Sequence, residues 1–195
     1  MPLSRALQEI NDDITRFFER SSATEVPPYF VYAYDPTDEY GARQDMGDLQ
    51  LALGAKDIGC ASISLADLFW EAIDESGDFD AIVAEERAYP DDPATLERVH
   101  QTINEILRDE PNLSERVMKR MELLPKRSVA FLFRAGALYP AYRTSSLLED
   151  LRERLMAPVV LMYPGHVVGG VGPSFMGKCE PAHGYRAKIL QRSDR

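Results

Sequence analysis

Three short runs of apolar residues most constrain how this chain can fold. They are Tyr29–Tyr34, Ser128–Phe133 and 158–163, and each is six residues long. None alternates between apolar and polar positions, as a strand with one wet face does. Each run therefore predicts a strand that is buried on both faces, and such strands occur mainly in parallel sheets covered by helices.

Helical patterns fill most of the chain between these runs. An apolar stripe at three- and four-residue spacing predicts a helix over about residues 3–20. Residues 79–123 read as an insertion of helices that break at Pro90 and Pro111. The remaining predicted elements are helices over 39–53 and 65–76, a helix over 146–155 that begins at a Ser146/Glu149 capping box, and short strands at 58–64 and 185–190.

This alternation predicts an α/β fold in which one domain spans residues 1–195. It should have three layers, with a mainly parallel sheet of about five strands covered by helices on both faces. The helical insertion of about 79–123 is added to that plan. A chain of 195 residues with 45 % hydrophobic residues is large enough to bury a continuous core.

From the sequence we expect a cytoplasmic protein that does not span a membrane. No apolar run approaches the roughly 20 residues of a membrane helix, and the amino terminus opens an amphipathic segment rather than a signal peptide. Cys60 and Cys179 form no Cys-x-x-Cys or Cys/His cluster. We therefore expect two reduced thiols, with Cys60 in the core, and no bound metal or cofactor.

Charge is distributed unevenly along the chain. Residues 1–125 carry 11 basic and 27 acidic side chains, whereas residues 126–195 carry 11 basic and 5 acidic ones. The acidic part should repel DNA, so direct DNA contact is not expected, and any such contact would fall on the last third. Solubility combined with chance explains the asymmetry equally well.

Polar residues follow the predicted strands, where the carboxyl edge of a parallel sheet would gather them. The candidate cluster at this edge is Asp35, Arg134, Tyr139, Arg143, Tyr163 and Gly165. Arginine forms bidentate hydrogen bonds with phosphate and carboxylate groups, so the cluster can hold a ligand that carries one of them. Arg134 or Arg143 can equally pair with Asp35 and pin a loop to the sheet. A structural or partner-binding role is favoured, because no nucleophile and base accompany these residues.

Two glycine-containing segments resemble phosphate-binding loops. Residues 172–179 match a Walker A motif at both glycines and at Lys178, but Cys179 replaces the final hydroxyl. The predicted strand ends too early, and Pro181 and Gly184 would break the helix that a P-loop needs. The loop at 165–172, with His166, can admit an anion at a strand end, but a surface loop is the favoured interpretation.

No catalytic signature is present in the sequence. Neither a Gly-x-Ser-x-Gly elbow nor a His-Glu-x-x-His motif occurs. The default expectation for Trp70 and its neighbour Phe69 is core packing in the helix 65–76. Exposure of Trp70 would instead indicate an interface, because aromatic residues dominate interface energetics.

Several of these segments together resemble one protein family. The residues 127–143, continued through 144–148 to 158–165, are similar to the most characteristic stretch of the BrxB family. Further similarity lies in Tyr32–Pro36 with Glu39, in 62–71 and in 184–187. These segments span about residues 29–190 in a fixed order, which is more specific than any one of them.

The resemblance implies a component of the bacterial phage-defence systems called BREX. Such a component is encoded beside a phosphatase-like protein (PglZ), a large ATPase and a DNA methyltransferase. The family implies no catalytic activity, so we expect a protein that acts through other BREX proteins, with PglZ as the first partner to test. The alternative is a degenerate nucleotide- or phosphate-binding protein of an ATPase-like α/β fold.

Overall fold

The predicted strands form a sheet, and the predicted helices pack on its faces. The computed structural model of the chain describes residues 3–20, 26–152, 154–168, 172–176 and 187–192. The helices in these ranges are α1 (Arg5–Arg20), α2 (Glu39–Gly54), α3 (Leu65–Ser76), α4 (Phe79–Ala88), α5 (Pro93–Arg108), α6 (Leu113–Met121) and α7 (Thr144–Arg152). The strands are β1 (Tyr29–Tyr34), β2 (Gly59–Ser64), β3 (Ser128–Phe133), β4 (Val159–Val168), β5 (Gly172–Phe175) and β6 (Lys188–Gln191).

Five of these strands form a parallel sheet in the order β2-β3-β4-β1-β6. The predicted mainly parallel sheet of about five strands is confirmed. β5 lies outside this order and pairs antiparallel with the end of β4. Because β4 separates β1 from β3, residues that follow β1 and β3 do not meet directly.

Both faces of the sheet are covered, as the uninterrupted apolar runs predict. Along β1, Phe30, Tyr32 and Tyr34 face the core under α1 and α2. Val31 and Ala33 face the opposite core, to which α3, α5, α6 and α7 contribute buried residues. Every one of these β1 side chains is at most 1 % exposed.

Short local signals set the helix ends of the predicted insertion. The Ser64 hydroxyl accepts a hydrogen bond from the Asp67 N–H at 3.2 Å and so caps α3, which ends at Gly77 with φ of 76°. Asp92 caps α5, and Asn112 forms a capping box with Glu115 at α6. The helical insertion between β2 and β3 is confirmed. α4 differs from its neighbours because none of its residues is buried.

Two expectations about the last third are wrong. The final helix begins at Thr144, so Ser146 lies inside its first turn and does not cap it; the Ser146 hydroxyl instead accepts a hydrogen bond from Arg108. The loop expected after residue 163 is in part a hairpin, because β4 continues to Val168 and pairs with β5. The predicted strand at 185–190 begins at Lys188 within the described residues.

Gly165 accounts for the difference between the expected loop and the observed hairpin. A Cβ at Gly165 would lie 2.1 Å from the Ser174 carbonyl oxygen and 2.8 Å from the Tyr163 ring. The glycine therefore serves close approach of β5 rather than a turn. In a sequence, a glycine can mark either a turn or a close approach between two strands, and the residue type does not distinguish the two.

Cys60 lies in β2, the first strand in the sheet order, and it is half-buried rather than part of the core. Burial raises the pKa of its thiol to about 11. It is a free thiol; Cys179 lies outside the described residues.

Candidate interaction surface

Three of the predicted strand-end residues meet in one place. The Tyr139 and Phe175 rings contact edge to face with centroids 5.9 Å apart, and the Tyr163 ring lies 5.3 Å from Phe175 on its other side. Gly165 borders the same group through the Tyr163 ring. We call Tyr139, Tyr163 and Phe175 the hairpin cluster.

The hairpin cluster lies at the carboxyl end of the sheet, next to β4. Tyr163 and Phe175 are 1 % and 4 % exposed, and the Tyr163 hydroxyl donates to the Pro173 carbonyl at 3.4 Å. In parallel sheets, ligands bind outside the carboxyl ends of strands whose connections leave toward opposite faces. β1 leads to α2 on one face and β3 to α7 on the other. The aromatic rings of the hairpin cluster lie at the end of β4, the strand between them.

Asp35 stands apart from the hairpin cluster, on the exposed end of β1. Its carboxylate accepts hydrogen bonds from the Thr37 hydroxyl at 2.6 Å and from the Thr37 N–H at 2.8 Å. These bonds hold the pKa of Asp35 below its ordinary value, and the nearby His166 ring lowers it further. The closest approach to His166 is 3.5 Å, from Nε2 to the carboxylate. Asp35 thus stabilises the turn that starts α2.

Arg134 pairs with a different residue from the one expected. Its guanidinium Nη1 lies 3.3 Å from the Asp67 carboxylate in the first turn of α3. Asp35 is two strand spacings away, about 10 Å, because β4 lies between β1 and β3. Of the alternatives that the sequence leaves open, a pair between Asp35 and Arg134 does not form. Arg143 is exposed just before α7.

A buried polar network that the sequence did not reveal joins α2 to the residue after β6. Asp45, only 2 % exposed, accepts hydrogen bonds from the Tyr32 hydroxyl at 2.7 Å and from Arg192 Nε at 2.6 Å. Arg192 also pairs with Asp38 at the start of α2. The seven-residue spacing of Asp38 and Asp45 was the available signal, but nothing pointed to a partner 147 residues away. The network holds β6 on the sheet.

Trp70 is exposed, which corrects the expectation of core packing. Its side chain is 52 % exposed and contacts Phe69 and Phe79 edge to face, with centroids 5.2 and 6.2 Å apart. At 100° per residue, Trp70 lies about 120° from the centre of the buried stripe of α3. That stripe is Leu65, Ala66, Leu68, Ala72 and Ile73.

Acidic residues surround these aromatic rings. Asp67 and Asp74 share the outer face of α3 with Trp70, and Asp78 and Asp80 flank Phe79, itself 44 % exposed. All four aspartates are exposed. We call Asp67, Trp70, Asp74, Asp78, Phe79 and Asp80 the Trp70 surface. Through Asp67 it reaches Arg134, so one predicted strand-end residue adjoins it.

The base of the Trp70 surface is fixed to the rest of the fold. Arg116 of α6, with a side chain only 7 % exposed, pairs with Glu71 at 3.5 Å and Glu75 at 2.6 Å on α3. Arg120 reaches Glu71 at 2.6 Å. These ion pairs fasten α3 to α6, on a side of α3 different from the one that carries Trp70.

The described ranges also bear on metal binding and on membrane insertion. Among those residues, no group of three or more His, Cys, Asp or Glu side chains could hold a metal ion. None of their helices is long and apolar enough to cross a membrane. The first half of the Walker-like segment, Gly172–Phe175, is the strand β5, and Lys178 lies outside the described residues.

Comparison with known proteins gives one match. The family model described as BREX protein BrxB matches residues 61–190, which is two thirds of the chain. No curated protein matches, and no solved structure does. The matched region contains the Trp70 surface and the hairpin cluster, whereas Asp35 precedes it. The resemblance seen in the sequence is confirmed: the chain belongs to the BrxB family.

Proposed function

We propose that the chain is a non-catalytic component of a BREX anti-phage system and acts by binding another BREX protein through the Trp70 surface. The observation that carries this proposal is the exposure of Trp70 and Phe79 side by side, 52 % and 44 %, on helices outside the sheet. Exposed tryptophan is the residue type most enriched at interface hot spots. PglZ is the first partner to test.

The shape of the molecule supports binding over chemistry. α/β sheets usually hold a ligand outside the carboxyl ends of their strands, and aromatic rings of the hairpin cluster lie at that end of β4. α4, in contrast, extends from the fold with no buried residue and still packs against α3 and α5. A helix placed in this way adds little to the core and presents its side chains to a partner.

A capture experiment tests the proposal. The tagged chain is mixed with PglZ and, separately, with each other BREX component, and compared with Trp70→Ala and Tyr40→Ala. Tyr40 is a matched control, since it is an aromatic residue 75 % exposed on α2, across the sheet. We expect the wild type and Tyr40→Ala to capture PglZ and Trp70→Ala to lose capture. Equal capture by all three would refute the Trp70 surface as the binding site, and capture of no component would refute the interaction role.

A further inference from the structure

The Trp70 surface has an electrostatic character as well as an apolar one. Asp74 lies one helical turn beyond Trp70. Asp78 and Asp80 precede and follow Phe79 at the start of α4, and both are exposed. Within the described part of the chain, no ion pair involves any of these three carboxylates. Their negative charge therefore faces solvent around the two rings.

Nearby cations do not cancel this charge. Arg116 and Arg120 are engaged by Glu71 and Glu75, which lie on the side of α3 nearer to α6. Arg134 is engaged by Asp67. The surface consequently combines an electron-rich indole face with a rim of exposed carboxylates.

We propose, on the basis of the interaction function proposed above, that the occupant of the Trp70 surface is a basic segment of the partner protein. An arginine or lysine of that segment stacks on the Trp70 ring, where the ring quadrupole attracts a cation. Further basic side chains meet Asp74, Asp78 and Asp80. Complementary charge of this kind steers association and excludes wrong partners.

The same chemistry excludes other occupants. A nucleic acid would bring phosphates against the aspartate rim, and a second copy of this chain would bring the same rim against itself. A purely apolar segment would leave these carboxylates partly desolvated without partners. A basic segment brings cations both to the aromatic rings and to the exposed aspartates.

Trp70 is the only tryptophan in the chain, so its fluorescence reports on this surface alone. A negative rim should attract caesium ions and repel iodide ions, so caesium should quench Trp70 more strongly than iodide, relative to free tryptophan amide. The triple variant Asp74→Asn/Asp78→Asn/Asp80→Asn should lose the difference. Asp78 makes no side-chain cap bond to α4, so the change to asparagine removes none. Iodide quenching as strong as caesium quenching in the wild type overturns the proposal.

A control variant carries the same change of charge on other parts of the chain. Asp12→Asn/Glu19→Gln/Asp57→Asn alters exposed residues of α1 and of the turn before β2. Both triple variants make the net charge less negative by three, so only the position differs. The control should retain the preference for caesium, and its loss there would show a general charge effect and overturn the local one.

Binding is then measured with two tryptophan-free amphipathic helical peptides that share one leucine stripe. One carries arginine and the other glutamate at every polar position. We expect the arginine peptide to bind at least about tenfold more tightly, and to weaken about tenfold between about 50 and 300 mM salt, as screening shortens the reach of the rim. Equal affinities, or no binding of the arginine peptide, overturn the proposal.

The failures of the two proposals are distinguishable. If Trp70→Ala loses the BREX partner while the two peptides bind equally, the interaction site stands and the basic occupant is wrong. If Trp70→Ala retains the partner, the interaction site is wrong and the basic occupant falls with it.

Discussion

The hairpin cluster and the Trp70 surface contain the same kind of aromatic contact in opposite environments. Phe175 contacts Tyr139 and Tyr163 with centroids 5.9 and 5.3 Å apart. Trp70 contacts Phe69 and Phe79 in a similar way, at 5.2 and 6.2 Å. In the first group, two rings are at most 4 % exposed, whereas Trp70 and Phe79 are about half exposed. Geometry alone does not separate their roles; burial does.

The difference teaches where the free energy of each cluster is used. Buried rings contribute to folding, because their apolar area is already removed from water. Exposed rings still have apolar area that a partner can remove from water, so they can contribute to the free energy of binding. The hairpin cluster should therefore govern stability, and the Trp70 surface should govern binding.

The largest expected effect is on stability in the hairpin. Phe175→Ala removes a ring that packs between Tyr139 and Tyr163, and it should lower the free energy of unfolding by about 3–5 kcal/mol. Trp70→Ala should lower it by less than about 1 kcal/mol, because the side chain is half exposed. Urea unfolding followed by circular dichroism measures both. A loss for Trp70→Ala as large as for Phe175→Ala would remove the distinction between the clusters.

Arginine variants extend the comparison to ion pairs. Arg192→Met should cost about 3 kcal/mol of unfolding free energy, because it leaves the buried Asp45 carboxylate without its cation. Arg134→Met should change the free energy of unfolding by less than about 1 kcal/mol, since its pair with Asp67 is exposed. Chemical denaturation of the two variants under identical conditions decides this. Equal losses would mean that burial does not set the value of these pairs.

Coupling between the two rings should be visible in binding. Phe79→Ala should weaken partner binding by about 1 kcal/mol, about fivefold, and leave unfolding almost unchanged. Combined with Trp70→Ala in a double-mutant cycle, the two should show a coupling of about 0.5–1.5 kcal/mol. Titration calorimetry with PglZ gives the four affinities. Purely additive losses would indicate that the rings bind independently.

The smallest expected effect is that of nucleotides. Because aromatic rings rather than phosphate-binding groups lie at the end of β4, millimolar ATP or ADP with magnesium should not shift the thermal midpoint. Lys178→Ala and Arg134→Ala should behave like the wild type in this assay. A midpoint that rises with nucleotide concentration, and does so less in Lys178→Ala, would instead support the phosphate-binding alternative.

Most of the fold was predictable because local patterns determine it. The apolar runs predict the buried strands β1, β3 and β4. Ser64 and Asp92, which are residue types typical of N-caps, begin α3 and α5. The hairpin was missed because Gly165 reads as a turn signal, while its actual role depends on the Ser174 carbonyl. That contact is not visible in a linear pattern.

The candidate site was predictable only in part, because strand order is not written in the sequence. Asp35 and Arg134 both follow strands, but β4 separates them. Arg134 pairs instead with Asp67 of α3, and Asp35 lies beside His166 of β4. Trp70 was assigned to the core since it neighbours core positions, although the outer side of α3 is set by its packing on α6. The partner of Asp45, Arg192, is 147 residues away and could not be inferred from the spacing of Asp38 and Asp45.

Hydrogen–deuterium exchange of the free and the PglZ-bound chain tests the proposed binding site most directly. Binding through the Trp70 surface should slow exchange in peptides from α3 and α4, residues 65–88, and leave peptides from the β4–β5 hairpin unchanged. Protection confined to the hairpin, with none in α3 and α4, would contradict this and place the partner at the sheet edge.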